Sequence, residues 1–126
     1  MTEQVLQYGD VITVALPAQI PQGREQEGYR PAIVVGIPGS IGQPRFNLLV
    51  VVPMTTDKEM LWATNAPLLY PRFPAGTASL PSASIALIDQ VRAIDASRMI
   101  KYRGSLTPEQ YAIVKDGLLE LLNSRR

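Results

Sequence analysis

The chain has 126 residues, with 12 Lys plus Arg against 11 Asp plus Glu and a net charge of +1. A length of this order closes one hydrophobic core, so one domain spanning 1–126 is expected, and the near-neutral balance leaves any polyanion site to be a local patch. Histidine and cysteine are both absent, which excludes disulfides, zinc centres of the usual ligand types, thiol nucleophiles and imidazole bases.

The N-terminal "MTEQVLQYGD" lacks a basic flank followed by an apolar core, and no apolar run approaches the roughly 20 residues of a membrane span. A cytoplasmic protein with no membrane partner is the expectation. "DVITVAL" (Asp10 to Leu16) alternates β-branched residues with others and then meets Pro17 and Pro21, which reads as a strand entering a loop. That loop, "QGREQEGYRPAIVV" from Gln22 to Val35, crowds charge, two glycines and a proline in front of an apolar run. "PAIVVGI" (Pro31 to Ile37) and "FNLLVVVPM" (Phe46 to Met54) have strand length and flank the turn-forming "PGSIGQPR", so they are expected to be neighbouring antiparallel strands.

"TTDKEMLWATN" reads as a polar loop holding the single tryptophan, Trp62. In "APLLYPRF" the prolines at 67 and 71, with Pro74 just beyond, suit an edge strand. "SIALIDQVRAI" (Ser84 to Ile94) predicts one long or bent strand, or two, "DASRM" a short helical turn capped by Asp95, and "MIKYRGSL" a further strand. Thr107, Pro108 and Gln110 form a capping-box pattern with proline at the first helical position. Tyr111, Val114, Leu118, Leu121 and Leu122 follow at helical spacing, and Gly117 costs the helix about 1 kcal/mol relative to alanine. About five to seven short strands with one terminal helix imply a small barrel or sandwich.

In that order "GDVITVAL", "GREQEGYRPAIVV", "LVVVPMTT" and "LPSASIALIDQVRAIDASRM", then a strand ending "RGSL" and a helix, resemble the MazF/PemK family of toxin endoribonucleases. The similarity runs from Tyr8 to Leu122. It implies a mainly β, SH3-like barrel of the PemK/CcdB kind with a C-terminal helix, and a homodimer. It further implies cofactor-free, metal-independent cleavage of single-stranded RNA to a 2′,3′-cyclic phosphate, and a cognate antitoxin as partner.

Carried over residue by residue, the resemblance implies that Arg30, at the arginine of the family's "G-x-R-P", stabilises the transition state, since a guanidinium fork suits phosphate oxygens. It implies that Thr55 in "PMTT" holds the phosphate and orients the 2′-oxygen, with Thr56 as helper. Glu25 falls at the family's acidic position, as a base or as a support for Arg30, and Gln26 adds a polar contact. Asp89 and Gln90 match the family's "DQ" and are expected to line the dimer groove, for base recognition or as a structural hydrogen bond. Two positions depart from the family pattern. Arg24 stands where a small polar residue or histidine is usual, and Leu87 where some PemK-type members carry an arginine.

Taken without the resemblance, each residue has a plainer reading. Arg30 and Glu25 suit a surface ion pair, Thr55 and Thr56 a strand end, and Asp89 a turn cap. Trp62 suits either stacking on an RNA base or a lid on the core. Arg45, Arg72, Arg92, Arg98, Lys101 and Arg103 form a basic groove or scattered surface charge. The competing functions are a family member without catalysis, a toxin that binds a protein target such as gyrase, and a plain SH3-like binding module. One Trp, five Tyr and two Phe, dispersed along the chain, argue against the last.

Overall fold

The computed structural model describes residues 5–122. Its strands are β1 (Asp10–Leu16), β2 (Gly28–Gly36), β3 (Leu48–Thr56), β4 (Arg72–Phe73), β5 (Ser84–Ala86), β6 (Arg92–Asp95) and β7 (Met99–Ser105). A four-residue helix α1 (Leu61–Thr64) lies within the stretch expected to be only a polar loop, and α2 (Pro108–Leu122) ends the described chain. All pairings are antiparallel, in the order β4-β5-β3-β2-β1-β7, with β6 also on β3. The mainly β architecture with a C-terminal helix is as expected, while the strand pairing follows an open path instead of closing into a ring.

β3 is an unbroken apolar run because it buries both faces. Val52 and Met54 join Val11, Ile33, Ile88 and Val114 in the core beneath α2. Leu49 and Val51 join Ile12, Val14, Val34 and Ile94 in a second core on the opposite face. Burial of this kind stabilises by about 1.5–3 kcal/mol per large aliphatic side chain, and it fixes the register, since a one-residue slip would exchange the two cores.

The segment Ser84 to Asp95 resolves into two strands along one edge of β3. Ala86 lies opposite Met54 and Arg92 lies opposite Val51. The five residues from Leu87 to Val91 therefore span a gap that only Val52 and Pro53 fill across the ladder. The cause is legible in β3. In an antiparallel strand a residue's N–H and C=O face the same neighbour, and Pro53 accepts from the Leu87 amide at 2.9 Å. Its missing N–H thus also faces the β5–β6 edge, and there the partner chain leaves the ladder as a tight turn over Ile88–Gln90. Ile88 is buried beneath α2, Asp89 is exposed and Gln90 is partly exposed.

The terminal helix starts as its capping box dictates: Gln110 N donates to Thr107 Oγ1 at 3.1 Å and Thr107 N to Gln110 Oε1 at 2.9 Å. Asp95 caps its turn through a 2.9 Å bond from the Ser97 amide. The buried side of α2 is Tyr111, Val114, Gly117 and Leu118, whereas Leu121 and Leu122 are exposed. Gly117 is not merely a weak helix former. A Cβ there would stand 2.7 Å from the Leu68 carbonyl oxygen. No helix among the described residues is long and apolar enough to cross a membrane.

Candidate active site

The charged loop before β2 lies against the Ile88–Gln90 turn and is tied to it by one side chain. Gln90 Oε1 accepts from the Gln26 amide at 2.7 Å and Gln90 Nε2 donates to the Arg24 carbonyl at 3.2 Å. Arg92 adds a weak 3.5 Å contact to the Gln26 carbonyl. The loop also closes on itself, with the Gln19 amide donating to Glu27 Oε2 at 2.9 Å. Both ends of the Gln90 amide thus bond to backbone, which is one of its two expected roles, and one N–H and one oxygen lone pair are left over. Removing it in Gln90→Ala should free the loop: deuterium exchange at the Gln26 amide should accelerate roughly tenfold or more, with little change in global melting, because each lost bond is worth about 0.5–1.5 kcal/mol. Unchanged exchange would show that the loop holds itself.

Three clefts meet at this loop. The first, of about 440 Å³, is lined by Arg24, Gln26, Thr55, Met60, Trp62, Tyr70, Leu87, Asp89 and Gln90. It brings together six of the residues expected from sequence, drawn from four separate segments. The second, of about 380 Å³, holds Glu25 and Arg30, with Gln26 as the wall shared with the first. The third, of about 450 Å³, runs past Arg24, Glu25, Asp89 and Arg92. Thr56 lines none of them and pairs with Ser84 at the sheet edge.

Arg30 and Glu25 do not form the surface ion pair that their spacing suggests. The one ion pair among the described residues is Arg72 with Asp57, at 2.9 Å. Arg72 is therefore a staple and not part of a free basic groove; it also donates to Thr64 Oγ1 at 2.7 Å and the Met60 carbonyl at 2.9 Å. Arg30 is held through Nε by the Glu27 carbonyl at 3.1 Å. Neither terminal guanidinium nitrogen has a bond to another described residue. Its relation to Thr55 follows from register. The β2–β3 ladder pairs Val34 with Val51, Ile33 with Val52 and Ala32 with Pro53. Arg30 and Thr55 each lie two residues past the last of these pairs, Arg30 in the second cleft and Thr55 in the first.

Sequence reasoning missed Tyr70. Its hydroxyl donates to Asp89 Oδ2 at 2.6 Å, and its ring meets Trp62 edge to face at 4.9 Å between centroids. The bond to Asp89, then burial, then the carboxylate's charge push the phenol from 10.0 up to about 12. The raised value means that any stability this proton confers is complete below about pH 10 and lost as pH rises through about 12. In an ultraviolet phenolate titration Asp89→Asn should bring one tyrosine back toward its ordinary range; an unchanged curve would sever the Tyr70–Asp89 link. Among the described residues no group of three or more His, Cys, Asp or Glu is placed to hold a metal ion.

Solved structures of like fold include MazF from Deinococcus radiodurans, with TM-score 0.70 and 24% identity over 95% of this chain and 98% of that one. A MazE–MazF complex from the same organism matches with TM-score 0.67 and 23% identity over 98% and 100%. A mycobacterial endoribonuclease in complex with its cognate antitoxin matches with TM-score 0.66 and 16% identity over 97% and 99%. No curated protein sequence matches. The family model described as PemK-like, MazF-like toxin of type II toxin-antitoxin system matches residues 7–122. Since that match spans all but the ends of the chain, with the fold agreeing along its whole length, the chain belongs to the PemK-like, MazF-like toxin family of type II toxin–antitoxin systems.

Proposed function

We propose that this chain is an endoribonuclease, the toxin of a cytoplasmic toxin–antitoxin pair, that cleaves single-stranded RNA without a metal or cofactor. The observation that carries the reading is Arg30: a half-buried guanidinium, fixed through Nε and open at both terminal nitrogens, in the cleft that shares the Gln26 wall with the one holding Thr55. A fork so held suits two oxygens of one phosphate.

In the proposed reaction the ribose 2′-hydroxyl gives its proton to Glu25, which has no hydrogen-bond donor of its own among the described residues. The 2′-oxygen attacks phosphorus, and the bond to the 5′-oxygen breaks. Arg30 offsets the charge on the phosphorane oxygens, and the departing 5′-oxygen takes its proton from solvent. Thr55 holds the phosphate in line, with Thr56 supporting the strand end. Arg24 supplies a second positive charge at the first cleft, in place of the usual small polar residue or histidine. Gln26, on the wall shared by the first two clefts, adds a polar contact to substrate or loop.

The family and the antitoxin-bound structural neighbours support two partners, a second copy of the chain and a cognate antitoxin. The test is to incubate pure protein with long single-stranded RNA in EDTA buffer. Discrete fragments ending in 2′,3′-cyclic phosphate are expected. RNA left intact by folded, dimeric protein would favour a non-catalytic or target-binding toxin instead.

A further inference from the structure

The first cleft contains a group of residues that the cleavage chemistry does not use. Trp62 is 46% exposed although it packs edge to face on Tyr70, so part of the indole remains open. Met60 and Leu87 supply apolar wall, and Asp89 stands at the edge with Oδ2 fixed by the Tyr70 hydroxyl. An aromatic surface beside an oriented hydrogen-bonding group is what single-stranded nucleic acid recognition requires. The ring stacks on any base, and the polar group reads its edge.

The acceptor atoms of Asp89 decide which edge fits. A carboxylate only accepts hydrogen bonds. With one lone pair of Oδ2 occupied by Tyr70, it still has Oδ1 and the second lone pair of Oδ2, two acceptors side by side. Guanine alone presents two adjacent donors on its Watson–Crick edge, N1–H and the 2-amino group. Adenine and cytosine set one amino donor next to a ring-nitrogen acceptor, and uracil flanks its single N–H with two carbonyls, so each turns a lone pair toward the carboxylate. We infer that Trp62, Tyr70 and Asp89 form a subsite selecting guanine at one position of the RNA, with Trp62 as stacking platform, Asp89 as reader and Tyr70 as its positioning residue. The elevated phenol ionisation of Tyr70 accords with a hydroxyl that keeps its proton and keeps donating to Asp89.

This assignment rests on single-stranded RNA being the ligand, as proposed above, but its test does not depend on cleavage. Trp62 is the only tryptophan in the chain, so its fluorescence reports occupancy directly. Uncleavable 2′-O-methyl oligonucleotides that differ at a single base should quench it, with guanine bound about 10- to 100-fold more tightly than uracil at the read position. Asp89→Asn replaces one acceptor by a donor. It should abolish the guanine preference and improve adenine or cytosine relative to guanine, while Tyr70→Phe should weaken the preference without inverting it. A guanine preference in binding without any cleavage would sustain the subsite and remove the catalytic reading. Cleavage or binding with no base preference, quenching identical for all four bases, no quenching at all, or an Asp89→Asn profile matching the wild type would each overturn the subsite.

Discussion

Arg30→Ala is expected to lower RNA cleavage by about 10²–10³-fold, the usual loss when one preorganised donor to a developing oxyanion is removed. Melting temperature should barely move, because Arg30 lies at the mouth of β2, outside both cores, and its one bond is to a neighbouring carbonyl. Arg30→Lys should recover little of the rate. An ammonium restores the charge but not the fork, and it cannot be anchored by one nitrogen while two others grip a phosphate. A fluorogenic single-stranded RNA assay, run beside thermal melts of each variant, reads both quantities. A wild-type rate from Arg30→Ala would remove Arg30 from the reaction, and a parallel fall in rate and melting temperature would make it a structural residue.

Gly117→Ala is expected to destabilise the protein by about 1–3 kcal/mol, the cost of overpacking a filled site, which lowers melting by roughly 3–10 °C in a chain of this size. The sign is informative. At an open helix position the same change would stabilise by about 1 kcal/mol through propensity alone. Here the added methyl would meet the Leu68 carbonyl oxygen at 2.7 Å and Ile88 side-chain carbons at 3.4 and 3.5 Å. Leu68 is two residues from Tyr70, and Ile88 adjoins Asp89. The displaced helix should therefore also loosen the hydrogen bond between them, which the phenolate titration would show as an earlier-titrating tyrosine. A rise in melting temperature would mean that α2 sits farther from the sheet than the structure places it.

Much of this arrangement could be read from local signals. The apolar runs marked β1, β2 and β3, Thr107 with Gln110 marked the start of α2, and Asp95 marked its turn, because each signal and its partner lie within a few residues. The parts that escaped were long-range or small. Gln26 and Gln90 are 64 residues apart and Tyr70 and Asp89 are 19 apart, and nothing in "LLYPRF" indicates where a tyrosine between leucine and proline will point. α1 is four residues long, too short for a periodicity to appear. Leu121 and Leu122 carry the helical spacing of a buried face, but spacing identifies the face and not how far along the helix it stays covered. Arg30 with Glu25 misled by proximity in sequence. The extended backbone at the start of β2 turns Arg30 back to the Glu27 carbonyl instead.

Pro53 gives this site a particular kind of heritability. The turn that presents Asp89 and Gln90 exists because a strand across from it lacks one hydrogen-bond donor, so its position is specified from outside its own sequence. The identity of residue 89 can then change, and with it whatever the groove recognises, while Gln90 keeps the loop tied and the place from which residue 89 projects stays fixed. Changing Pro53 to any other residue would do the reverse, leaving every recognition side chain present while giving the β5–β6 edge a donor with which to zip past them.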